Sequence, residues 1–157
     1  MNGLPEDQRH YSAPAGDEWI IDAFSCDPEL LRSVVVLRAV CDEIVRGLQL
    51  NVVGTPVWHQ FPGAAGVTGM YLLSESHLAC HTYPEHGLST FNLYCCRPKP
   101  IWPWQQHLQV ALDASEVWVR RISRGGIRRD SETPRPRDWA EIRDSTTTHQ
   151  IGTETEA

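Results

Sequence analysis

Residues 74–85 read Ser74-Glu75-Ser76-His77-Leu78-Ala79-Cys80-His81-Thr82-Tyr83-Pro84-Glu85, and apolar runs flank this stretch at 67–73 and 88–96. Short apolar runs bounded by turn-forming residues are typical of β-strands. The sequence therefore predicts three consecutive strands, at 67–73, 77–83 and 88–96. Pro84-Glu85-His86-Gly87 is predicted to form a hairpin-like turn between the second and third strands.

The other elements follow from hydrophobic periodicity and from residues that begin or break helices. The run Trp19–Phe24 predicts a strand. Asp27 before Pro28 marks a helix start, and apolar residues recur at helical spacing as far as Gly47, which predicts one amphipathic helix. Further predictions are an interrupted strand at 50–58, a small-residue loop at 61–66, a helix at 104–112 and a strand at 116–122.

This order of elements predicts an α+β fold, namely a two-layer α/β sandwich in which an antiparallel sheet carries helices on one face. Residues 1–16 are predicted to form a flexible leader and residues 17–125 the one domain. Residues 126–157 contain few apolar side chains and cannot bury enough surface to offset the entropy of ordering. We therefore expect a disordered C-terminal tail.

Composition excludes several classes of protein. The net charge of −6 disfavours a nucleic-acid binder. No apolar run reaches the roughly 20 residues that cross a bilayer, and the N-terminus lacks a signal-peptide pattern, so we expect a cytoplasmic protein without membrane contact. The five cysteines form no Cys-x-x-Cys pair, and His77 and His81 lack a clear third ligand, so no structural metal site is predicted.

The string that begins at Gly66 resembles the bacterial and archaeal S-adenosylmethionine decarboxylase proenzymes. It consists of a Gly66-Val67-Thr68-Gly69 turn, an apolar strand, Glu-Ser-His, His-Thr-Tyr-Pro-Glu, a turn at Gly87 and a second strand closing on Cys96. The resemblance extends from about Glu18 to Gly125. Its outer parts are Trp19-Ile20-Ile21-Asp22-Ala23-Phe24 with Cys26-Asp27, then Pro103-Trp104 and Val117-Trp118-Val119.

The resemblance implies that the chain cuts itself between Glu75 and Ser76, giving a β chain of residues 1–75 and an α chain of residues 76–157. In this family the serine hydroxyl attacks the preceding carbonyl to give an ester, and elimination then leaves a pyruvoyl group. Ser76 would become that pyruvoyl and form the Schiff base with the substrate amine. Decarboxylation needs such an electron sink, and no natural side chain is one.

The same resemblance assigns the acid and base roles. His81 is expected to be the proton acceptor in processing, because an imidazole exchanges protons near neutral pH. Thr68 is expected to be the processing hydroxyl, at a position where the family usually has serine. Cys96 is expected to be the proton donor in turnover, since an unperturbed thiol is mostly protonated at neutral pH and a buried strand would preserve that form.

The expected substrate-binding residues are Phe61, Tyr83 and Glu85. Phe61 corresponds to a ring that stacks on adenine, Tyr83 to a second ring that is usually tryptophan, and Glu85 to a carboxylate that hydrogen-bonds the ribose. The implied reaction is decarboxylation of S-adenosylmethionine to the aminopropyl donor for spermidine. The implied partner is a second copy, because the family's active sites form between two cleaved protomers, and we expect a dimer of αβ units.

Three positions depart from the family's pattern and leave alternatives open. Glu18 stands where histidine is usual, Asn92 where an acid is common, and Arg97 where glycine usually follows the thiol. Relatives with the same self-cleaving serine decarboxylate arginine or ornithine, so either amino acid is an alternative substrate. A second alternative is an uncleaved, non-catalytic partner subunit.

Overall fold

The structure is a computed structural model that describes residues 15–125. The predicted tail, residues 126–157, and nearly all of the predicted leader lie outside the described residues. The described elements are β1 (Gly16–Phe24), α1 (Pro28–Arg32), α2 (Val34–Gly47), β2 (Val57–Gln60), β3 (Val67–Leu73), β4 (Ser76–Tyr83), β5 (Leu88–Cys95), α3 (Trp104–Leu112) and β6 (Glu116–Arg124).

The six strands form one sheet in the order β2-β3-β4-β5-β1-β6, and every neighbouring pair is antiparallel. Strands β3, β4 and β5 follow one another in the chain and pair in that order, so they form two consecutive hairpins. A 3-10 turn at Pro84–His86 joins β4 to β5, as the turn residues predicted, and Gly87 follows it with a φ of +57°. The antiparallel sheet and the α+β class predicted from sequence are confirmed.

One face of the four inner strands, β1, β3, β4 and β5, is buried. Ile21 in β1 pairs with Phe91 in β5, which pairs with Cys80 in β4, and all three are buried. Side chains in a strand alternate between its two faces, so antiparallel pairing at this register gathers the apolar positions on one side. The helices cover that side, because the buried side chains of α1, α2 and α3 belong to the same core.

Polar side chains of two strands join helices to the sheet. The Thr82 hydroxyl in β4 donates to the Leu31 carbonyl of α1 at 2.8 Å, and it accepts from the Val67 N–H of β3 at 2.8 Å. The Tyr71 hydroxyl in β3 donates to the Asp42 carboxylate of α2 at 2.7 Å. These contacts fix both helices on the same face as the apolar core.

The prediction of one continuous helix from Pro28 to Gly47 is wrong, because the chain leaves helical geometry at Ser33. Ser33 has φ −86° and ψ 103°, and its side chain accepts a hydrogen bond from the Val36 N–H at 3.3 Å. Serine favours such local bonds over the helical one, so it caps a new helix. The apolar spacing continued across the break and hid it.

The segment around the predicted interrupted strand also differs from expectation. Only an isolated bridge at Val52 forms before Gly54, whose φ is +71°, and regular pairing begins at Val57. The predicted Gly66–Gly69 turn is wrong, since β3 already begins at Val67. Gly69 is needed there for another reason: a Cβ on it would lie 2.4 Å from the Trp58 ring, which packs across that position.

No helix within residues 15–125 is long and apolar enough to span a bilayer.

Replacing Thr82 with valine is expected to destabilise the fold by about 1–3 kcal/mol, because the Val67 N–H loses a buried acceptor and the Leu31 carbonyl loses a donor. The measurement is the free energy of unfolding in denaturant, made in a Ser76→Ala chain so that one uncut polypeptide unfolds. Thr55→Val, at an exposed loop position, is the matched control and should change this energy by less than about 0.5 kcal/mol. Equal effects of the two substitutions would contradict the assigned role of Thr82.

Candidate active site

The predicted cleavage site lies at the tight turn between β3 and β4. Leu73 pairs with Ser76, so Ser74 and Glu75 form a two-residue connection. Ser76 has a φ of +145°, a region that residues with a side chain rarely adopt. Strained backbone of this kind persists only where the surrounding structure holds it, and it is concentrated at functional sites. The serine that the sequence singled out is therefore also a backbone outlier.

The Glu75 side chain is held in place beside this turn. It is only 4% exposed. Its carboxylate accepts from the Asn51 backbone N–H at 3.2 Å and from the Asn51 side chain at 2.8 Å, and the Lys99 ammonium lies 3.8 Å away. Burial by itself would raise the pKa of Glu75, but the hydrogen bonds that the carboxylate accepts, from Asn51 first and then from Ser74 and its own backbone, together hold that pKa below its usual range. The residue before the predicted cut is thus an anchored carboxylate.

The Glu75 carbonyl, the group a nucleophile would attack, accepts a hydrogen bond from the Cys96 backbone N–H at 2.9 Å. Amide donors aimed at an oxygen that gains charge stabilise a tetrahedral transition state. The sheet register brings this donor here, because Ser76 pairs with Cys95 and places the preceding carbonyl opposite the next residue. Sequence reasoning missed this contact, since it belongs to the backbone and leaves no residue signal.

The prediction that Cys96 lies in a buried strand is wrong. β5 ends at Cys95, the chain bends at Cys96, and Cys96 is exposed. Cys95 occupies the inward-facing position, and burial raises the pKa of its thiol. Cys96 nevertheless shares with Ser76, Glu75 and His77 one concavity of about 660 Å³. We call this the serine concavity.

The imidazole that contacts Ser76 belongs to His77. The Ser76 hydroxyl oxygen lies 3.2 Å from His77 Nδ1, and His77 Nε2 lies 3.2 Å from the Asn92 side-chain oxygen. Sequence reasoning had considered His77 only as a metal ligand. Its direct adjacency to the predicted nucleophile was the available signal.

His81, the predicted processing base, lies elsewhere on the sheet. Its Nδ1 is 2.9 Å from the Thr68 hydroxyl, and the two residues are cross-strand partners. His81 is five residues from Ser76 on the same strand, which corresponds to about 16 Å at about 3.3 Å per residue. Thr68 and His81 are therefore brought together, but they are separated from Ser76 of the same chain.

The predicted substrate-binding residues lie with this second group. Phe61, Tyr83 and Glu85 line a concavity of about 330 Å³ together with Thr68 and His81. We call it the histidine concavity. Phe61 and Tyr83 are both exposed, and Glu85 is an exposed residue of the 3-10 turn Pro84–His86. Two aromatic rings and a carboxylate around one concavity suit a ligand that has both a planar ring, for stacking, and hydroxyl groups, for hydrogen bonding.

Another concavity, of about 610 Å³, lies where α3 meets the β1 and β6 strands and is lined by Trp19, Trp102, Trp104 and Arg121 among others. None of the predicted site residues lines it. Within residues 15–125, no three or more His, Cys, Asp or Glu side chains come together in a way that could hold a metal ion. The chemistry-bearing residues are thus those of the serine and histidine concavities.

Comparison with known proteins identifies the family. The sequence model of the S-adenosylmethionine decarboxylase family matches residues 17–125. The S-adenosylmethionine decarboxylase proenzyme of Thermotoga maritima is 32% identical over 123 residues, covering 74% of this chain and 92% of that protein. The corresponding proenzyme of Archaeoglobus fulgidus is 36% identical over 81 residues, covering 52% of this chain and 70% of that protein.

A solved structure has the same fold. The crystal structure of the adenosylmethionine decarboxylase from Aquifex aeolicus superimposes with a TM-score of 0.63 at 24% identity, covering 78% of this chain and all of that one. With the matched family model and these relatives, the chain belongs to the S-adenosylmethionine decarboxylase family, a family of carboxy-lyases.

Glu75→Gln is expected to lower the free energy of unfolding by about 1–2 kcal/mol at neutral pH, because charge-assisted hydrogen bonds from Asn51 are weakened. The folded-state pKa of Glu75 lies below the unfolded value, so the carboxylate stabilises the fold above the unfolded pKa. That contribution is lost as the pH falls through the folded-state pKa. The difference between the two proteins should therefore vanish in acid.

The measurement is denaturant unfolding across the acid range in an uncut Ser76→Ala chain. Glu29→Gln, at an exposed carboxylate of α1, is the matched control and should change the unfolding free energy little at any pH. A Glu75→Gln deficit that persists undiminished in acid would show that the anchored carboxylate does not act through its charge.

Proposed function

We propose that this family member is a pyruvoyl-dependent S-adenosylmethionine decarboxylase, made as a proenzyme that cuts itself between Glu75 and Ser76. Its product would be the aminopropyl donor for spermidine synthesis. The observation that carries the proposal is the geometry of the cut: a strained Ser76, its hydroxyl beside an imidazole, and the Glu75 carbonyl held by the Cys96 amide.

The first step uses this chain's own groups. Ser76 Oγ would attack the Glu75 carbonyl carbon, and the Cys96 N–H would stabilise the charge that develops on the carbonyl oxygen. The anchored Glu75 side chain keeps that carbonyl in place while the bond rearranges. The strain at Ser76 is expected to be relieved when its peptide bond breaks.

The residues around Ser76 fit a pyruvoyl group at this position. The group would supply the electron sink that carbon–carbon cleavage requires. The serine concavity, of about 660 Å³, leaves room for a small substrate beside Ser76. Cys96 is exposed in the same concavity, so its thiol can reach a substrate there and return a proton. We assign Cys96 the role of proton donor in turnover.

The histidine concavity supports a nucleoside substrate over arginine or ornithine. Phe61 and Tyr83 offer ring faces for adenine, and Glu85 offers an acceptor for ribose hydroxyls. Neither amino acid carries a ring or a diol, so these three side chains would have no partner in an amino-acid decarboxylase.

We further propose that one complete site uses two copies of the chain. Thr68 and His81 lie about 16 Å from Ser76 of their own chain, too far for proton transfer. The sheet face away from the helices exposes large apolar side chains, among them Leu72 at 59% and Trp118 at 54%. Exposed apolar surface of this kind marks an association face. A second copy packed there would bring its His81 and Thr68 to Ser76 of the first.

Mixing two inactive variants tests this arrangement. Ser76→Ala removes the nucleophile and His81→Ala removes the base, so neither variant alone should yield a pyruvoyl-blocked fragment. When both are co-expressed, the His81→Ala chain keeps Ser76 and receives His81 from its partner. We expect part of that chain to be cut into fragments 1–75 and 76–157, as measured by intact mass with distinguishable tags.

Co-expression of His81→Ala with Thr55→Ala, a loop variant that keeps both residues, is the positive control. If the mixture of Ser76→Ala and His81→Ala stays uncut while the Thr55→Ala chain of the control is cut, the site is complete within one chain. An uncut wild-type chain would instead support the alternative of a non-catalytic partner subunit.

Substrate choice is tested by carbon dioxide release from S-adenosylmethionine, arginine and ornithine with the fully cut protein. We expect release from S-adenosylmethionine only. Glu85→Gln should raise KM for it by roughly 10-fold with a smaller effect on kcat, because the lost contact is remote from the bond that breaks. Release from arginine or ornithine alone would refute the substrate assignment.

A further inference from the structure

We propose that His77 is a catalytic residue of self-cleavage, the base that takes the Ser76 Oγ proton as the acyl shift begins, and that Asn92 and Glu18 position it by fixing its tautomer. The inference rests on the self-cleavage proposed above and concerns a step for which His81 is too distant within the chain. It follows from one hydrogen-bonded chain, which runs Ser76, His77, Asn92, Glu18.

The direction of every bond in this chain is set at Glu18. An ionised carboxylate can only accept hydrogen bonds. The hydrogen bond from Asn92, followed by the contacts with Arg124, outweighs burial and holds the pKa of Glu18 below its usual range, so Glu18 is ionised at neutral pH. The Arg124 guanidinium forms an ion pair with its other oxygen. Glu18 is therefore a fixed acceptor.

A fixed acceptor orients the Asn92 amide. Asn92 Nδ2 must donate to Glu18 Oε1, at 2.7 Å, which turns Asn92 Oδ1 toward His77 Nε2, at 3.2 Å. Because Oδ1 can only accept, Nε2 must carry a proton. Neutral imidazole has one N–H, so Nδ1 is left with a lone pair.

That lone pair faces the predicted nucleophile. Ser76 Oγ lies 3.2 Å from Nδ1, so the hydroxyl donates to His77 and its oxygen lone pairs stay free for attack. A nucleophile, a base and a group that orients the base form the arrangement by which hydroxyls are activated in enzymes. Here the nucleophile and the base are consecutive residues. Ser76, the first of the two, has a φ of +145°.

The step balances without any co-reactant. The Oγ proton passes to His77 Nδ1 while Oγ bonds to the Glu75 carbonyl carbon, whose oxygen is held by the Cys96 N–H. The bond from that carbon to the Ser76 nitrogen then breaks, and the imidazolium returns the proton to the nitrogen. The amide has become an ester, and His77 is neutral again.

The departures from the family's pattern at positions 18 and 92 both lie in this series of hydrogen bonds. Glu18 and Asn92 touch each other, so they form a matched donor and acceptor rather than two independent changes. Other titratable or charged groups around His77 are Tyr94, whose ring centroid is 6.1 Å away on β5, Arg124 beyond Glu18, and Glu75 and Cys96 in the serine concavity. Within the described residues, the only hydrogen bond of His77 Nε2 is the one to Asn92.

The test isolates the first step. In a His81→Ala parent, processing should stall at the ester, which hydroxylamine cuts into fragments 1–75 and 76–157, the latter with a free serine N-terminus. Adding His77→Ala should slow this cutting by about 10²-fold or more, the usual contribution of a positioned base. Free imidazole in the buffer should restore part of the rate. His86→Ala, at an exposed turn, is the matched control and should cut at the parent rate.

Positioning by Asn92 is tested by the pH profile of hydroxylamine cutting. In the double variant Glu18→Gln with Asn92→Asp, the new carboxylate accepts from Nε2 and holds the imidazole in its protonated form. Cutting should then require a higher pH than in the parent. Asn92→Leu, which only removes the fixed tautomer, should lower the rate without that upward displacement. A role limited to folding would give no difference in profile between these variants.

The outcomes separate this inference from the proposed function. If the parent is cut and His77→Ala is cut equally fast, with unshifted profiles in the Asn92 variants, the inference is overturned and self-cleavage stands. If the wild-type chain and the parent are never cut, both are overturned. Should His77→Ala not fold, His77→Gln and the Asn92 variants decide, since each keeps a side chain of similar size in place.

Discussion

The antiparallel register between β4 and β5 is the constraint from which the site follows. Pairing of Ser76 with Cys95 places the Glu75 carbonyl against the Cys96 N–H, at 2.9 Å. The same register directs Cys80, Phe91 and their neighbours into the core. A shift of one residue would turn those side chains to solvent, so burial of the core fixes the register, and the register fixes the position of the Glu75 carbonyl. The energy that folds the sheet thus also positions the bond at which we propose self-cleavage.

The extended conformation of β4 keeps the candidate site residues in two separate concavities. Ser76 lies at the start of this strand and His81 near its end, and an extended strand cannot bend to join them. The serine concavity at one end is lined by Ser76, His77 and Cys96, and the histidine concavity at the other by Phe61, His81, Tyr83 and Glu85. Any step in which His81 acts on Ser76 therefore requires a second copy of the chain.

Hydrogen bonds on the sheet face away from the helices fix which atoms donate and which accept, and apolar packing cannot do this. Glu18 can only accept, and this single property passes through Asn92 to decide which nitrogen of His77 carries the proton. Buried or half-buried polar networks of this kind are favourable only when every member is satisfied. The ion pair of Glu18 with Arg124 completes the network on a strand, β6, that contributes little to the core.

The sequence alone determined the α+β class, most of the strands and the identity of Ser76, Thr68, His81, Phe61, Tyr83 and Glu85 as candidates, because periodicity and motif order are local properties of the chain. It could not show the helix break at Ser33, where one side-chain hydrogen bond overrides a continuous apolar pattern. Only the tertiary structure decided that Cys96 is exposed, that its amide meets the Glu75 carbonyl, and that His77 rather than His81 touches Ser76. These relations depend on strand register and on distances between residues far apart in sequence, which arise only when the sheet pairs and its core is buried.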